Sequence, residues 1–169
     1  MNQNLISSIK GRDQLSITMV CLGNICRSPT AHAVMRHKTA AMPGFIEIES
    51  AGTSASHKGE KPDPRAVREG QQLGYQFSGI VSRPVQDADF SYFDLILAMD
   101  NDNLKDLQSR CPAKWQHKVQ LFLQYHPQYP ELQEVPDPYY GGSRGFTLVL
   151  QMIEQGCDGL LRHLKQSDS

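Results

Sequence analysis

The sequence predicts an α/β domain built on a small parallel sheet. Three observations predict it. Apolar, β-like runs alternate with helix-like segments, an order that favours parallel strands joined by right-handed crossovers. One run, Asp94-Leu95-Ile96-Leu97-Ala98-Met99, is apolar without a break after its first residue, as in a strand buried on both faces. At 169 residues the chain has the length of one domain with a substantial core.

The elements follow in order. Ser16–Val20 reads as the first strand and Thr30 to about Ala40 as the first helix, with Ala33, Val34 and His37 toward the core. Pro43-Gly44 breaks the chain, and Phe45 to Ser50 alternates as a second strand. Ala51 to Asp63 is a Gly-, Ser- and Lys-rich loop. Pro64 opens a helix to about Leu73, which Gly74 ends. Phe90–Phe93 lead into the third strand, 94–99. Asn101–Ser109 is helical, capped by Asp100 or Asn101. Val119–Leu123 reads as a fourth strand, followed by a long loop with Pro127, Pro130, Pro136 and Pro138. Thr147–Lys165 is the last helix, its apolar face made by Leu148, Met152, Leu160, Leu161 and Leu164. Residues 1–14 are mostly polar and read as a frayed extension, leaving 15–167 as a single domain.

Composition excludes several classes. A net charge of −1 does not suit a general nucleic-acid or anionic-membrane binder. No apolar run reaches transmembrane length, and residues 1–14 lack the apolar core of a secretory signal, so a cytoplasmic protein is expected. Four cysteines are too few for a disulfide scaffold. Cys21 and Cys26 with His32 and His37 lack zinc-ligand spacing, and no Walker lysine follows Gly23, so neither metal nor cofactor is expected.

The chemistry concentrates in Cys21-Leu22-Gly23-Asn24-Ile25-Cys26-Arg27-Ser28, between the first strand and the first helix. A helix start leaves unpaired N–H groups and favours negative charge. Gly23 would let the backbone take a left-handed turn so that successive amides face inward, Ser28 would cap the helix and Pro29 would fill its first position. Arg27 supplies a planar fork for two phosphate oxygens. Cys21, at the strand end, faces the middle of that cradle. The same groups favour its thiolate and would stabilise the charge of a phosphoryl group in transfer. Cys26 shares the loop, so its sulfur is expected within reach of Cys21, making the site redox-sensitive.

This loop, with Val20 before it and Pro29 after it, closely resembles the phosphate-binding loop of the low-molecular-weight protein tyrosine phosphatases. The resemblance runs from Ser16 onward and includes Ser50-Ala51-Gly52-Thr53, Pro62-Asp63-Pro64-Arg65, Met99-Asp100 and Asp137-Pro138-Tyr139-Tyr140-Gly141-Gly142. It implies a three-layer αβα fold with strand order 2-1-3-4 and hydrolysis of phosphotyrosine through a cysteinyl-phosphate. It assigns Cys21 as nucleophile, residues 22–28 as the phosphate cradle and Asp137 as the proton donor that later activates water. Tyr139 and Tyr140 would wall the mouth, and Ser50 would hydrogen-bond Asn24. Asp63 and Asp100 read as structural. Two departures stand out. Ser56-His57-Lys58 replaces a large aromatic that many relatives carry, leaving a thinner, more basic wall, and Ile80 replaces a histidine of the network supporting Asn24. Phosphotyrosine proteins are the expected partners, and a monomer or weak dimer the expected state. Two alternatives share the fold or the loop: an arsenate reductase, for which Cys111 and Cys157 are poorly placed as relay thiols, and a catalytically silent phosphate-binding module.

Overall fold

Strand β1 (Gln14–Cys21) is the axis of the molecule. The computed structural model describes residues 14–42, 45–139 and 142–166, so Pro43-Gly44, Tyr140-Gly141 and the expected frayed extension lie outside the described residues, except that Gln14 opens β1. The elements run β1, α1 (Arg27–Thr39), β2 (Phe45–Gly52), α2 (Pro64–Gln72), the single turn α3 (Asp89–Tyr92), β3 (Leu95–Ala98), α4 (Asn101–Arg110), β4 (Val119–Leu121) and α5 (Gly142–Gln166). All strands are parallel, in the order β2-β1-β3-β4. The expected α/β class and strand order are therefore present.

Alternation along β1 makes the layers. Leu15, Ile17, Met19 and Cys21 join Val34 and Met35 of α1 and Val149, Ile153 and Leu160 of α5 in the larger core. Val20 faces the other way, with Ile96, Ala98, Phe90 and Leu107 of α4. Burial on both faces explains why β3 is uniformly apolar. Since all strands are parallel, Cys21, Gly52, Ala98 and Leu121 end at the same edge, where ligands bind in such sheets.

Some boundaries differ from expectation. Helix α1 begins at Arg27, so Ser28 lies inside it and no side chain caps it. His37 is exposed, edge-on to Tyr75, while Ala31, His32 and Met35 are buried with Ala33 and Val34. β4 stops at Leu121, and a 3-10 turn, Phe122–Tyr125, follows. Phe122 and Leu123 are both fully buried in the larger core, whereas successive strand residues would point to opposite faces. Gly156 and Gly159 let α5 cross this turn closely: a Cβ at Gly156 would sit 2.7 Å from the Phe122 ring, and one at Gly159 would strike the Tyr125 carbonyl. Leu148 is 50% exposed, out of phase with the stripe Phe146, Val149, Leu150, Ile153, Cys157, Leu160, Leu161 and Leu164.

Candidate active site

The loop after β1 closes a cavity of about 100 Å³ lined by Cys21, Leu22, Gly23, Ile25, Cys26, Arg27, Ser56, His57, Asp137 and Tyr139. The structure thus brings together a thiol, a cation, a carboxylate and two rings from distant parts of the sequence. Among the described residues, the backbone N–H groups of Leu22, Gly23, Asn24, Ile25 and Cys26 donate to no protein atom. Unspent amides beside a helix start form an anion site.

The loop reaches this shape differently from the sequence expectation. The left-handed residue is Asn24, at φ +56°, a conformation asparagine tolerates better than most residues. Gly23 serves close approach instead, since a Cβ there would lie 2.9 Å from His57 Cδ2. Asn24, fully buried, donates from Nδ2 to Ser28 Oγ at 2.8 Å and accepts at Oδ1 from the Arg83 N–H at 3.1 Å. Ser82 Oγ donates to the Gly23 carbonyl at 2.9 Å. Ser82 and Arg83, just beyond Ile80, hold the turn. Ser50 does not bond Asn24, whose side chain bonds Ser28 and Arg83; its hydroxyl lies 2.9 Å from His32 Nδ1. The strand end still grips the loop, because Thr53 and Ser54 donate to the carbonyls of Cys21 and Leu22.

Ser28 is engaged with Cys21. Its Oγ lies 3.0 Å from Cys21 Sγ and accepts from Asn24, so its own hydrogen is available to the sulfur, with only the Ala51 carbonyl, at 3.4 Å, in competition. Cys26 is unlike Cys21 in setting. Burial first, then the charge of Asp63, pushes its thiol far up. Cys26 is thereby kept as a neutral thiol.

Arg27 is 3% exposed. Its Nη1 donates to Asp100 Oδ2 at 2.6 Å and to the Val135 carbonyl at 3.0 Å, while Nη2 lies 3.7 Å from Asp137 Oδ2. Burial opposes the buried charge, but Cys21 and then Asp100 outweigh it, so the guanidinium is held more firmly protonated than usual. Asp100 also caps α4 through Asn103 N–H at 2.8 Å. Asp137, 42% exposed, stands at the rim, with Oδ1 accepting from the Tyr139 N–H at 3.0 Å. Its loop is anchored by Val135 N–H to the Met99 carbonyl and by Glu134 to the Asn101 N–H. Tyr139 and His57 face each other across the mouth, ring centroids 6.3 Å apart, and Glu60 Oε2 holds His57 Nδ1 at 2.6 Å. Ser56 flanks them; Tyr140 lies outside the described residues.

Several contributors escaped sequence reading: Ser82, Arg83, Val135, Glu134 and Glu60. None sits in a recognisable pattern, and two act through the backbone. No group of His, Cys, Asp and Glu among the described residues forms a metal site, and none of the helices searched is long and apolar enough to cross a membrane.

Comparison with known proteins gives the same picture. The low molecular weight phosphotyrosine protein phosphatase model matches residues 16–169. The low molecular weight protein-tyrosine-phosphatase of Bacillus subtilis is 37% identical over 154 residues, spanning 90% of this chain and 97% of its own. The human low molecular weight phosphotyrosine protein phosphatase is 38% identical over 155 residues, spanning 86% and 93%. A crystal structure of a protein tyrosine phosphatase from Entamoeba histolytica, with Hepes in its active site, superposes with a TM-score of 0.83 at 41% identity, covering 90% of this chain and 97% of that one. With the family model covering the chain from Ser16 onward and these relatives matched over most of their length, the chain belongs to the low molecular weight phosphotyrosine protein phosphatase family.

Proposed function

We propose that this low molecular weight protein-tyrosine-phosphatase hydrolyses phosphotyrosine in proteins, and small aryl phosphates, through a cysteinyl-phosphate. The observation that carries this reading is the placement of Cys21, unspent loop amides and Arg27 around one cavity, with Asp137 at its rim. The substrate phosphate rests on the amides and on the Nε–Nη2 edge of Arg27, because Nη1 is already committed to Asp100 and Val135. The Cys21 sulfur attacks phosphorus as the bond to the phenolic oxygen breaks, and Asp137 gives its proton to that oxygen. The resulting carboxylate then takes a proton from water as the water attacks phosphorus, releasing inorganic phosphate and the thiolate. Ser28 donates to the sulfur whenever it carries charge.

The mouth supports an aromatic leaving group. Tyr139, His57, Leu22 and Ile25 offer ring faces and apolar surface, and Ser56 leaves one side low. Phosphotyrosine proteins are accordingly the partners, with no nucleic acid or membrane required. A reducing compartment, the cytoplasm, suits four cysteines that are all free, and the chain acts as a monomer or weak dimer. Arsenate reduction fits less well, since Cys111 and Cys157 are buried on opposite sides of the sheet and neither lines the cavity.

The test is hydrolysis of p-nitrophenyl phosphate and a phosphotyrosine peptide with a chelator present. The protein should turn over both. Cys21→Ser should lose turnover yet still bind vanadate, because the amides and Arg27 remain. Turnover by Cys21→Ser near that of the unaltered protein would exclude the thiol mechanism.

A further inference from the structure

Tyr139 at the rim is held by a side chain that does not line the cavity. The Arg65 guanidinium lies over two rings, 5.4 Å from the centroid of Tyr139 and 4.6 Å from that of Phe146. Its Nε and Nη2 grip Asp63 at 3.1 and 2.9 Å. Asp63 in turn is part of the cradle's underside. Its N–H donates to the Ile25 carbonyl at 2.7 Å, and its side chain is 8% exposed. Phe146 is buried in a small cluster with Ile25, Cys26 and Ala66. One guanidinium therefore joins the floor of the phosphate site to the ring that stands over it.

We propose that Arg65 is a positioning residue for aromatic phosphate esters, fixing the Tyr139 ring relative to the cradle so that an aryl leaving group meets it in register. This rests on the phosphatase reading above. Tyr139 is partly exposed on a proline-flanked loop, and its N–H bond to Asp137 orders its backbone, not its ring. A planar, weakly hydrated guanidinium can stack on two faces while its edge binds a carboxylate. Lysine has no such geometry. The gap to His57 is set by where the Tyr139 ring stands, so loosening that ring alters the passage a phenyl group uses. A small alkyl phosphate has no group there and is affected less.

The test measures kcat and KM for a phosphotyrosine peptide and for glycerol 2-phosphate in Arg65→Gln, Arg65→Lys, Tyr139→Ala and the Arg65→Gln/Tyr139→Ala double variant. Helix α2 keeps its cap in all of them, since Asp63 accepts the backbone N–H of residue 65. In Arg65→Gln the peptide KM should rise about 3- to 10-fold, and the aryl-to-alkyl ratio of kcat/KM should fall by a similar factor. Arg65→Lys should be intermediate. In the Tyr139→Ala background, removing Arg65 should cost almost nothing more, because the two act as one unit. Equal losses on aryl and alkyl substrates, or additive losses in the double variant, would overturn the assignment. If the unaltered protein shows no Cys21-dependent aryl phosphate hydrolysis, the phosphatase reading itself fails instead.

Discussion

Replacing His32 with glutamine should remove much of the acid sensitivity of folding. His32 is 6% exposed, and its Nδ1 meets the Ser50 hydroxyl at 2.9 Å. Burial first, and the charge of Arg36 second, push this imidazole down to about 4 from an ordinary 6.5. The folded-state value lies below the unfolded one, so the unfolded chain binds more protons as acid is added. The contribution is fully present above about pH 6.5 and is lost as pH falls toward 4. With those two values, linkage gives a loss of about 2 kcal/mol at pH 5 and about 3 kcal/mol at pH 4. Urea unfolding at pH 8, 5 and 4 reads it directly. His32→Gln should be less stable at pH 8, through lost packing. Its stability should fall by about 2 kcal/mol less than that of the unaltered protein between pH 8 and 5. Carboxylates common to both chains cancel in that difference. Stability curves that run parallel across this window would refute the reasoning, since the ring would then titrate alike in both states.

Two further outcomes follow from the site. Asp137→Asn should slow phosphoryl transfer from phosphotyrosine peptides by about 10²–10⁴-fold, and far less for aryl phosphates with acidic phenols, which need no proton; pre-steady-state phenol release isolates that step. Peroxide should inactivate the enzyme by oxidising Cys21 to a sulfenic acid, which condenses with the Cys26 thiol, releasing water and leaving a disulfide that a dithiol reverses. Mass spectrometry of the oxidised protein should find that bond, and Cys26→Ser should stay active but fail to recover.

What was legible in the sequence was what is local. Cys21 to Pro29 places a strand end, a nucleophile, a fork and a helix start within one short stretch, so its chemistry follows from neighbouring residues. Asp137 has no such signature, because a carboxylate among prolines is an ordinary turn; only the resemblance singled it out. The errors fall where tertiary contacts reassign a residue. Ser28 has the composition of a cap, yet Asn24 and Cys21 claim its hydroxyl. Gly23 suggests a left-handed turn, yet Asn24 makes it, because its amide is repaid by Ser28 and, 59 residues on, by Arg83. Phe122 and Leu123 fit a strand as well as a buried turn, and only the approach of α5 through Gly156 decides between them.

Arg27 explains why these separate stretches make one device. It comes from the cradle, yet Nη1 binds the residue that caps α4 and the carbonyl of Val135 on the loop that carries Asp137. Val135 is fully buried and also donates its N–H to Met99 at the end of β3. A phosphate on the remaining edge of this guanidinium, as proposed above, would be placed relative to Asp137 without either group touching the other. Lysine could neutralise the charge but not reproduce this, because an ammonium presents its donors from one point and has no separate edges to divide among a carboxylate, a carbonyl and a phosphate. The planar fork ties the local anion site to the loop that carries Asp137. It also links the two cores, since Arg27 heads α1 over the larger one and Asp100 opens α4 over the smaller.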